Sequence, residues 1–229
     1  MAAGPRHLPM INGMSAENRN LPWLICFAVS QEAKPFRAWL KKGFPARVIR
    51  TGIGPHNART ACLAGLSRFQ PAAVLTCGWA GALNPALGFG TVVFQADPTF
   101  PRAGDLKNLG AAPAAFHGSD RIIATAAEKE RLRRETGADA VEMESQIIRD
   151  ICRQRGVPSA TVRVISDPAQ ENLPIDFNAI ARPDYSISYF KLAAVLGRSP
   201  GKLPALLAFN RRLRQAAEIL AGFLGRFLA

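Results

Sequence analysis

A chain of 229 residues with 48% hydrophobic content and a mean hydropathy of +0.03 can bury one sizeable core and needs no second domain. It has no apolar run of 18 residues and no sustained apolar stretch in its first twenty, so neither a spanning helix nor a secretion signal is expected. Its formal charge of +12 attracts polyanions, yet no zinc-finger pattern, RNP-like aromatic strand or Gly-x-x-Gly clamp accompanies the charge, so specific nucleic-acid binding is not expected. An anionic membrane surface and a generally basic proteome are the remaining readings of that charge. Cys26, Cys62, Cys77 and Cys152 are irregularly spaced, with no Cys-x-x-Cys pair and only three histidines, so reduced thiols in a cytoplasmic setting are expected and a structural metal is not.

In chain order, residues 1–20 read as a flexible leader rich in Gly, Asn, Pro and Met, and residues 21–229 as a single domain. Leu24 to Val29 is a continuous apolar run of strand length. Glu32 to Lys42 follows with helical spacing of Phe36, Trp39 and Leu40 before Gly43. Ala46 to Ile49 predicts a second strand, and Asn57 to Phe69 a helix through Ala58, Ala61, Cys62 and Leu66. Ala72 to Cys77 and Thr91 to Gln95 are short β-rich runs punctuated by Pro71, Pro85, Gly88 and Gly90. The second half repeats the rhythm, with Arg121 to Ala124 as strand, Ala127 to Glu135 as helix and Ala138 to Met143 as strand. Helix Ser145 to Gln154 then carries Ile147, Ile148 and Ile151 on one stripe, and Ser159 to Ile165 is a strand. Residues 168–200 predict an irregular connection with one short helix near Tyr189 to Leu196, and Pro204 to Leu228 an amphipathic helix. Strands apolar on both faces, alternating with helices of about three turns, predict an α/β fold, a three-layer αβα sandwich around a mixed, mostly parallel sheet.

Three segments stand out: Thr51-Gly52-Ile53-Gly54, Cys77-Gly78-Trp79-Ala80-Gly81-Ala82-Leu83 and Val141-Glu142-Met143-Glu144-Ser145, the last followed by Val162-Arg163-Val164-Ile165-Ser166-Asp167. Each lies at or just after an apolar run, so glycines and carboxylates emerge at strand ends, where open α/β sheets gather ligands. Glu142 and Glu144 share a face of an extended chain, which is costly in a core unless they bind something polar; a solvated edge strand is the alternative. Arg163, flanked by Val162, Val164 and Ile165, needs an anion, which Glu144, a phosphate or a structural carboxylate can supply. Ser166 and Asp167, before Pro168, either cap a turn or present a carboxyl whose pKa burial can raise. Gly52, Gly54, Gly78 and Gly81 let the backbone approach a ligand, and free amides there can hold phosphate or the nucleophile.

In this order, from about Leu24 to Asp167, the segments resemble the purine nucleoside phosphorylase and methylthioadenosine/adenosylhomocysteine nucleosidase superfamily. Asp120-Arg121, Glu128-Lys129, the run Thr136 to Ser145, Arg182-Pro183-Asp184 and Pro200-Gly201-Lys202-Leu203-Pro204 look most like its hopanoid-associated phosphorylase branch. The resemblance implies cleavage of the N-glycosidic bond of a purine nucleoside, with adenine as the expected base, phosphate or water as nucleophile, and no metal or organic cofactor. Breaking that bond builds positive charge on the sugar and negative charge on the base, which calls for a proton donor at the base and anions near the sugar.

By that resemblance Asp167 stands at the proton donor, Glu144 at the residue gripping the ribose hydroxyls and Met143 at the apolar floor beneath the sugar, with Glu142 beside them. Glu32 stands where nucleosidases orient the attacking water; a helix-start glutamate near the dipole is its other reading. Arg163, Ser166, Gly54, Gly78, Ala80 and Ile123 complete the implied binding set. Two residues depart from the pattern. Trp79 replaces a small hydroxyl residue that contacts phosphate or water, and Ile122 replaces an aromatic that stacks on the purine. The branch leans toward phosphorolysis and Trp79 counts against it.

In the last helix Leu203, Leu206, Leu207, Leu213, Leu220, Phe223, Leu224, Phe227 and Leu228 form an apolar stripe opposed by Arg211, Arg212, Arg214 and Arg226. Core packing is its ordinary role, and a peripheral membrane contact that brings the site to a lipid-linked adenosyl substrate is the sharper one. The relatives also imply a homo-oligomer. A nucleoside- or anion-binding protein that kept the fold without the chemistry is the rival reading.

Overall fold

The computed structural model describes residues 21–40, 45–182 and 188–229; the expected leader, the expected helix end at Lys42 and Gly43, and Pro183-Asp184 lie outside the described residues. The elements are β1 (Trp23–Phe27), α1 (Ser30–Leu40), β2 (Ala46–Arg50), α2 (Pro55–Phe69), β3 (Ala73–Ala82), β4 (Val92–Ala96), α3 (Ala103–Asn108), β5 (Ala112–Pro113), β6 (Phe116–Gly118), α4 (Ala126–Thr136), β7 (Ala140–Glu142), α5 (Ser145–Gln154), β8 (Ser159–Asp167), α6 (Phe177–Ile180), α7 (Tyr189–Arg198) and α8 (Leu203–Leu228). The sheet runs β2-β1-β3-β8-β4-β5, with β4 antiparallel to β8 and the other neighbours on this path parallel. β3 continues past β1, and Gly81 and Ala82 pair antiparallel with β7, which pairs parallel with β6.

Side-chain alternation along the strands divides the core. Trp23, Ile25 and Phe27 of β1 face one side, packed with Phe36 of α1 and with Leu220, Phe223, Leu224 and Phe227 of α8. Leu24 and Cys26 face the other, packed with Ala58, Cys62 and Leu66 of α2 and Ile148, Ile151 and Cys152 of α5. Helices on both faces of a mixed, mostly parallel sheet make the expected α/β sandwich. No helix among the described residues is long and apolar enough to cross a membrane.

Several expectations change for physical reasons. Residues Arg121 to Ala124 form no strand, because their backbone bonds go elsewhere: Ile122 exchanges both of its bonds with the Asn178 amide, and Ala124 N–H donates to Glu128. That same Glu128 closes a capping box with Thr125 that starts α4. β3 does not stop at Cys77, since β8 and β7 supply ladder partners as far as Ala82. α8 is divided. Its second half carries the buried stripe, whereas Leu203 and Leu207 are 44% and 51% exposed.

Candidate active site

The site grows from the carboxyl ends of β1, β3, β7 and β8. Pairing of β3 with β8 slips after Ala80 and Ile165, so that Gly81 faces Asp167 and Ser166 is the extra residue. Such a bulge re-aims side chains at a strand end, and here Ser166 and Asp167 both turn into a cleft of about 280 Å³.

Arg163, 1% exposed, lies beneath that cleft. Its Nη2 donates to Glu142 Oε2 at 2.6 Å, Glu144 Oε2 at 3.4 Å and Thr76 Oγ1 at 3.1 Å, and its Nη1 to the Cys77 carbonyl at 3.3 Å. Glu142 Oε2 also accepts the backbone N–H groups of Glu144 and Ser145, so this carboxylate serves the N-terminus of α5 while pairing with Arg163. Glu144 Oε1 accepts the N–H of Gly54, tying the end of β7 to the start of α2. Glu32 accepts three backbone N–H bonds, from Ala28 (3.0 Å), Val29 (3.1 Å) and Trp79 (2.9 Å). Three carboxylates thus converge on one guanidinium.

Burial sets the proton affinities of Glu144 and Glu32. It pushes Glu144 up to about 7, with the charge of Glu142 adding to the rise and Arg163 opposing it. Burial likewise raises Glu32 against the pull of Arg163 and its backbone donors. For Arg163, burial works against the cation and Glu142, Glu144 and Glu32 outweigh it. Asp167 is raised by burial, and the opposing influences are Lys129, Ser166 and Arg212. Its Oδ2 lies 2.6 Å from Lys129 Nζ, and its Oδ1 accepts from Ser166 Oγ at 2.6 Å.

The opposite wall is mostly apolar: Ile122 and Ile123 from the connection before α4, Leu173, Phe177 and Ala181 from the connection after β8, and Phe209 and Leu213 from α8, with Arg121 and Asn178 as its polar members. A polar bottom and an apolar lid together form the kind of cavity that holds an amphipathic small molecule.

The chain matches the phosphorylase superfamily model over residues 26–97 and 111–185, which includes every strand end of the cleft. It belongs to the phosphorylase superfamily. Among curated relatives, 5'-methylthioadenosine/S-adenosylhomocysteine nucleosidase of Staphylococcus aureus (strain bovine RF122 / ET3-1) is 26% identical over 165 residues, covering 58% of this chain and 72% of that protein. Among solved structures, a futalosine hydrolase mutant of Helicobacter pylori strain 26695 superposes with a TM-score of 0.64 at 18% identity, over 89% of this chain and 96% of the other. 5'-methylthioadenosine/S-adenosyl homocysteine nucleosidase of Campylobacter jejuni superposes with a TM-score of 0.64 at 20% identity, over 90% and 97%.

In this phosphorylase-superfamily chain Glu32, Trp79, Ala80, Ile122, Ile123, Glu142, Met143, Glu144, Ser166 and Asp167 all line the cleft. Gly54, Gly78 and Arg163 do not: they stand behind it and hold the residues that do. Two expectations for the glycines are corrected. The Gly54 amide is taken by Glu144 rather than free for a ligand. Gly78, at φ +150°, leaves room for protein: a Cβ there would overlap both Arg163 Nη1 and Glu32 Oε1. Trp79 contributes its backbone N–H to Glu32, and its indole Nε1 is buried with no hydrogen-bond partner among the described residues.

The apolar wall of Leu173, Phe177, Ala181 and Phe209 carries no signal in the sequence, nor do three further residues. Asn178 clamps the backbone of Ile122 at 2.8 and 2.9 Å, Leu213 reaches in from α8, and Lys129 is fully buried against Asp167. The Glu128-Lys129 pair was visible as a motif, but on a helix this polar it reads as solvated surface.

Proposed function

We propose that the protein hydrolyses the N-glycosidic bond of a purine nucleoside, adenine being the expected base. Nucleosidases and a hydrolase among its relatives favour glycosidic cleavage. The observation that carries the reading is the excess of carboxylate over cation at the bottom of the cleft, where Glu32, Glu142 and Glu144 surround the single Arg163. Leftover negative charge in a dry site stabilises the cationic sugar formed as the bond breaks. The same surplus opposes a phosphate dianion, Arg163 is already spent on protein acceptors and Arg121 of the cleft wall pairs with Glu128 at 2.8 Å, so water is the nucleophile in this reading.

Glu32 takes a proton from that water, Glu144 accepts the ribose hydroxyls, Met143 underlies the sugar and Asp167 protonates the departing base. The proposed reaction uses no metal or organic cofactor. Adenine release from adenosine and methylthioadenosine tests the assignment. Asp167→Asn and Glu144→Gln are each expected to lower kcat/KM by about 10²-fold or more. Wild-type rates in both variants, or nucleoside binding without release in the wild type, would move the protein to the non-catalytic reading.

A finer reading concerns the 5' end of the substrate. The apolar wall of Leu173, Phe177, Phe209 and Leu213 suits a large apolar 5' substituent, as on a lipid-linked adenosyl compound of hopanoid metabolism. Beside it Tyr189 and Phe190 are 78% and 86% exposed, and from Ser188 to Ala217 the chain carries Lys191, Arg198, Lys202, Arg211, Arg212 and Arg214 with no Asp or Glu. Arg212 pairs with Glu171, but the stretch itself supplies no acidic partner for the rest, and apolar side chains among such basic ones favour an anionic membrane surface. Wild type is expected to co-sediment with phosphatidylglycerol vesicles and Phe190→Asp not to; equal sedimentation of both would remove the membrane from this reading.

A further inference from the structure

The ammonium of Lys129 touches the proposed acid, and the reaction above gives it no task. It is 0% exposed, and its Nζ lies 2.6 Å from Asp167 Oδ2, 2.9 Å from the Pro168 carbonyl and 3.0 Å from the Glu171 carbonyl. Three acceptors satisfy the three N–H bonds of an ammonium. The two carbonyls alone satisfy the two N–H bonds of a neutral amine, whose lone pair would then face Asp167. This cage fits Lys129 with or without the proton that lies toward Asp167. A surface lysine has no such arrangement, since water would re-solvate either form.

The arrangement also resolves a conflict. A general acid must be protonated when the base departs, yet an ammonium 2.6 Å from Asp167 favours its carboxylate, against the burial that favours its acid form. Asp167 faces Lys129 from α4, Ser166 beside it on β8 and, farther out, Arg212 of α8, which is itself paired with Glu171.

Resting on the reading of Asp167 as the acid, we propose that Lys129 is its proton store, a positioning residue that supplies through the carboxyl the proton delivered to the leaving base. As the bond from C1' to the base nitrogen breaks and its electron pair moves onto the base, the Lys129 Nζ–H bond breaks and an O–H bond forms on Asp167. The carboxyl passes a proton to the base nitrogen and returns to carboxylate beside a neutral Lys129 amine. The proton that Glu32 removed from the attacking water leaves to solvent, and one from solvent restores the ammonium, so the turnover is balanced. A carboxyl re-supplied from a store behind it stays loaded to higher pH than a carboxyl alone.

The test is the pH profile of adenosine cleavage in wild type, Lys129→Met, Lys129→Arg and Asp167→Asn, with 4-nitrophenyl riboside as a second substrate whose leaving group needs no proton. Lys129→Met is expected to lose about 10²-fold in kcat with little change in KM, and its alkaline limb to move at least one unit to lower pH. It should still cleave the nitrophenyl riboside. Lys129→Arg, which keeps the cation but does not release its proton, should show the same loss on adenosine. Lys129→Gln, which can still donate to the two carbonyls, replaces the methionine variant if that does not fold. An alkaline limb that stays in place or moves upward overturns the inference, as does full activity in Lys129→Arg. Wild-type rates in Asp167→Asn overturn the acid assignment and the store with it, whereas an inactive Asp167→Asn beside an unchanged Lys129→Met profile removes the store alone.

Discussion

The two ends of β8 both hold buried charges, and they are built to opposite ends. At its first residue Ser159 donates to Asp97, which also pairs with Arg149 at 2.5 Å and Arg153 at 3.5 Å. Burial works to raise Asp97, but the bonds from Ser159 and Arg149 outweigh it and hold this carboxyl below its usual range. Cations and carboxylates balance there, since Asp150 also pairs with Arg153 at 2.8 Å, and Asp97 is a permanent anion that ties β4, α5 and β8 together. At the far end carboxylates exceed cations, and Glu32, Glu144 and Asp167 are all raised. Buried charge therefore does not by itself mark the site. An unbalanced set of raised carboxyls opening on a cavity does.

The largest test of that contrast removes the central cation at each end. Arg163→Met leaves Glu142 and Glu144 facing each other without a counter-charge, and chemical denaturation should show a loss of about 3–5 kcal/mol together with loss of cleavage. Arg149→Met leaves Asp97 with Ser159 and Arg153, so its cost should be about 1–2 kcal/mol with cleavage within twofold of wild type. Equal losses for the two variants would break the comparison.

Gly78→Ala should follow in size. An alanine at φ +150° places its Cβ where Glu32 and Arg163 already sit, so about 2–3 kcal/mol of stability should go along with most of the activity. An active, unchanged Gly78→Ala would mean that the two side chains are free to part.

The smallest effect is one of sign. A raised carboxyl gives stability that is complete below its unfolded value and lost as pH climbs through its folded value. Glu144 should therefore cost the wild type stability relative to Glu144→Gln between about pH 4.5 and about 7. Asp97 is lowered, so its contribution should be present above its unfolded value of about 3.8 and lost as pH falls below it, measured as the gap to Asp97→Asn. Gaps that change in the same direction would show that the two ends of β8 do not differ in kind.

Much of this was readable from the sequence where the signal is local. The apolar runs of β1 and β8 and the isoleucine stripe of α5 declare themselves through length and period, and a lone Arg163 among valines announces a buried anion. α3, β5 and β6 were not legible, since six residues or fewer are too short to display a period. Nor was the purpose of Gly78, which depends on Arg163, 85 positions along the chain. Lys129 hides on a helix whose neighbours Glu128, Glu130 and Arg131 are charged, and only the approach of Asp167 gives it meaning. The divided α8 was half legible: one continuous apolar stripe serves the core at one end and the lip of the cleft at the other.

The most direct measurement of the central claim is cleavage of adenosine in oxygen-18 water containing phosphate, with the sugar product weighed by mass spectrometry. The carboxylate-rich end of β8 predicts free ribose carrying one oxygen-18 at C1, formed by wild type and not by Asp167→Asn. Ribose 1-phosphate as the product, or labelled ribose formed equally by both proteins, would contradict it.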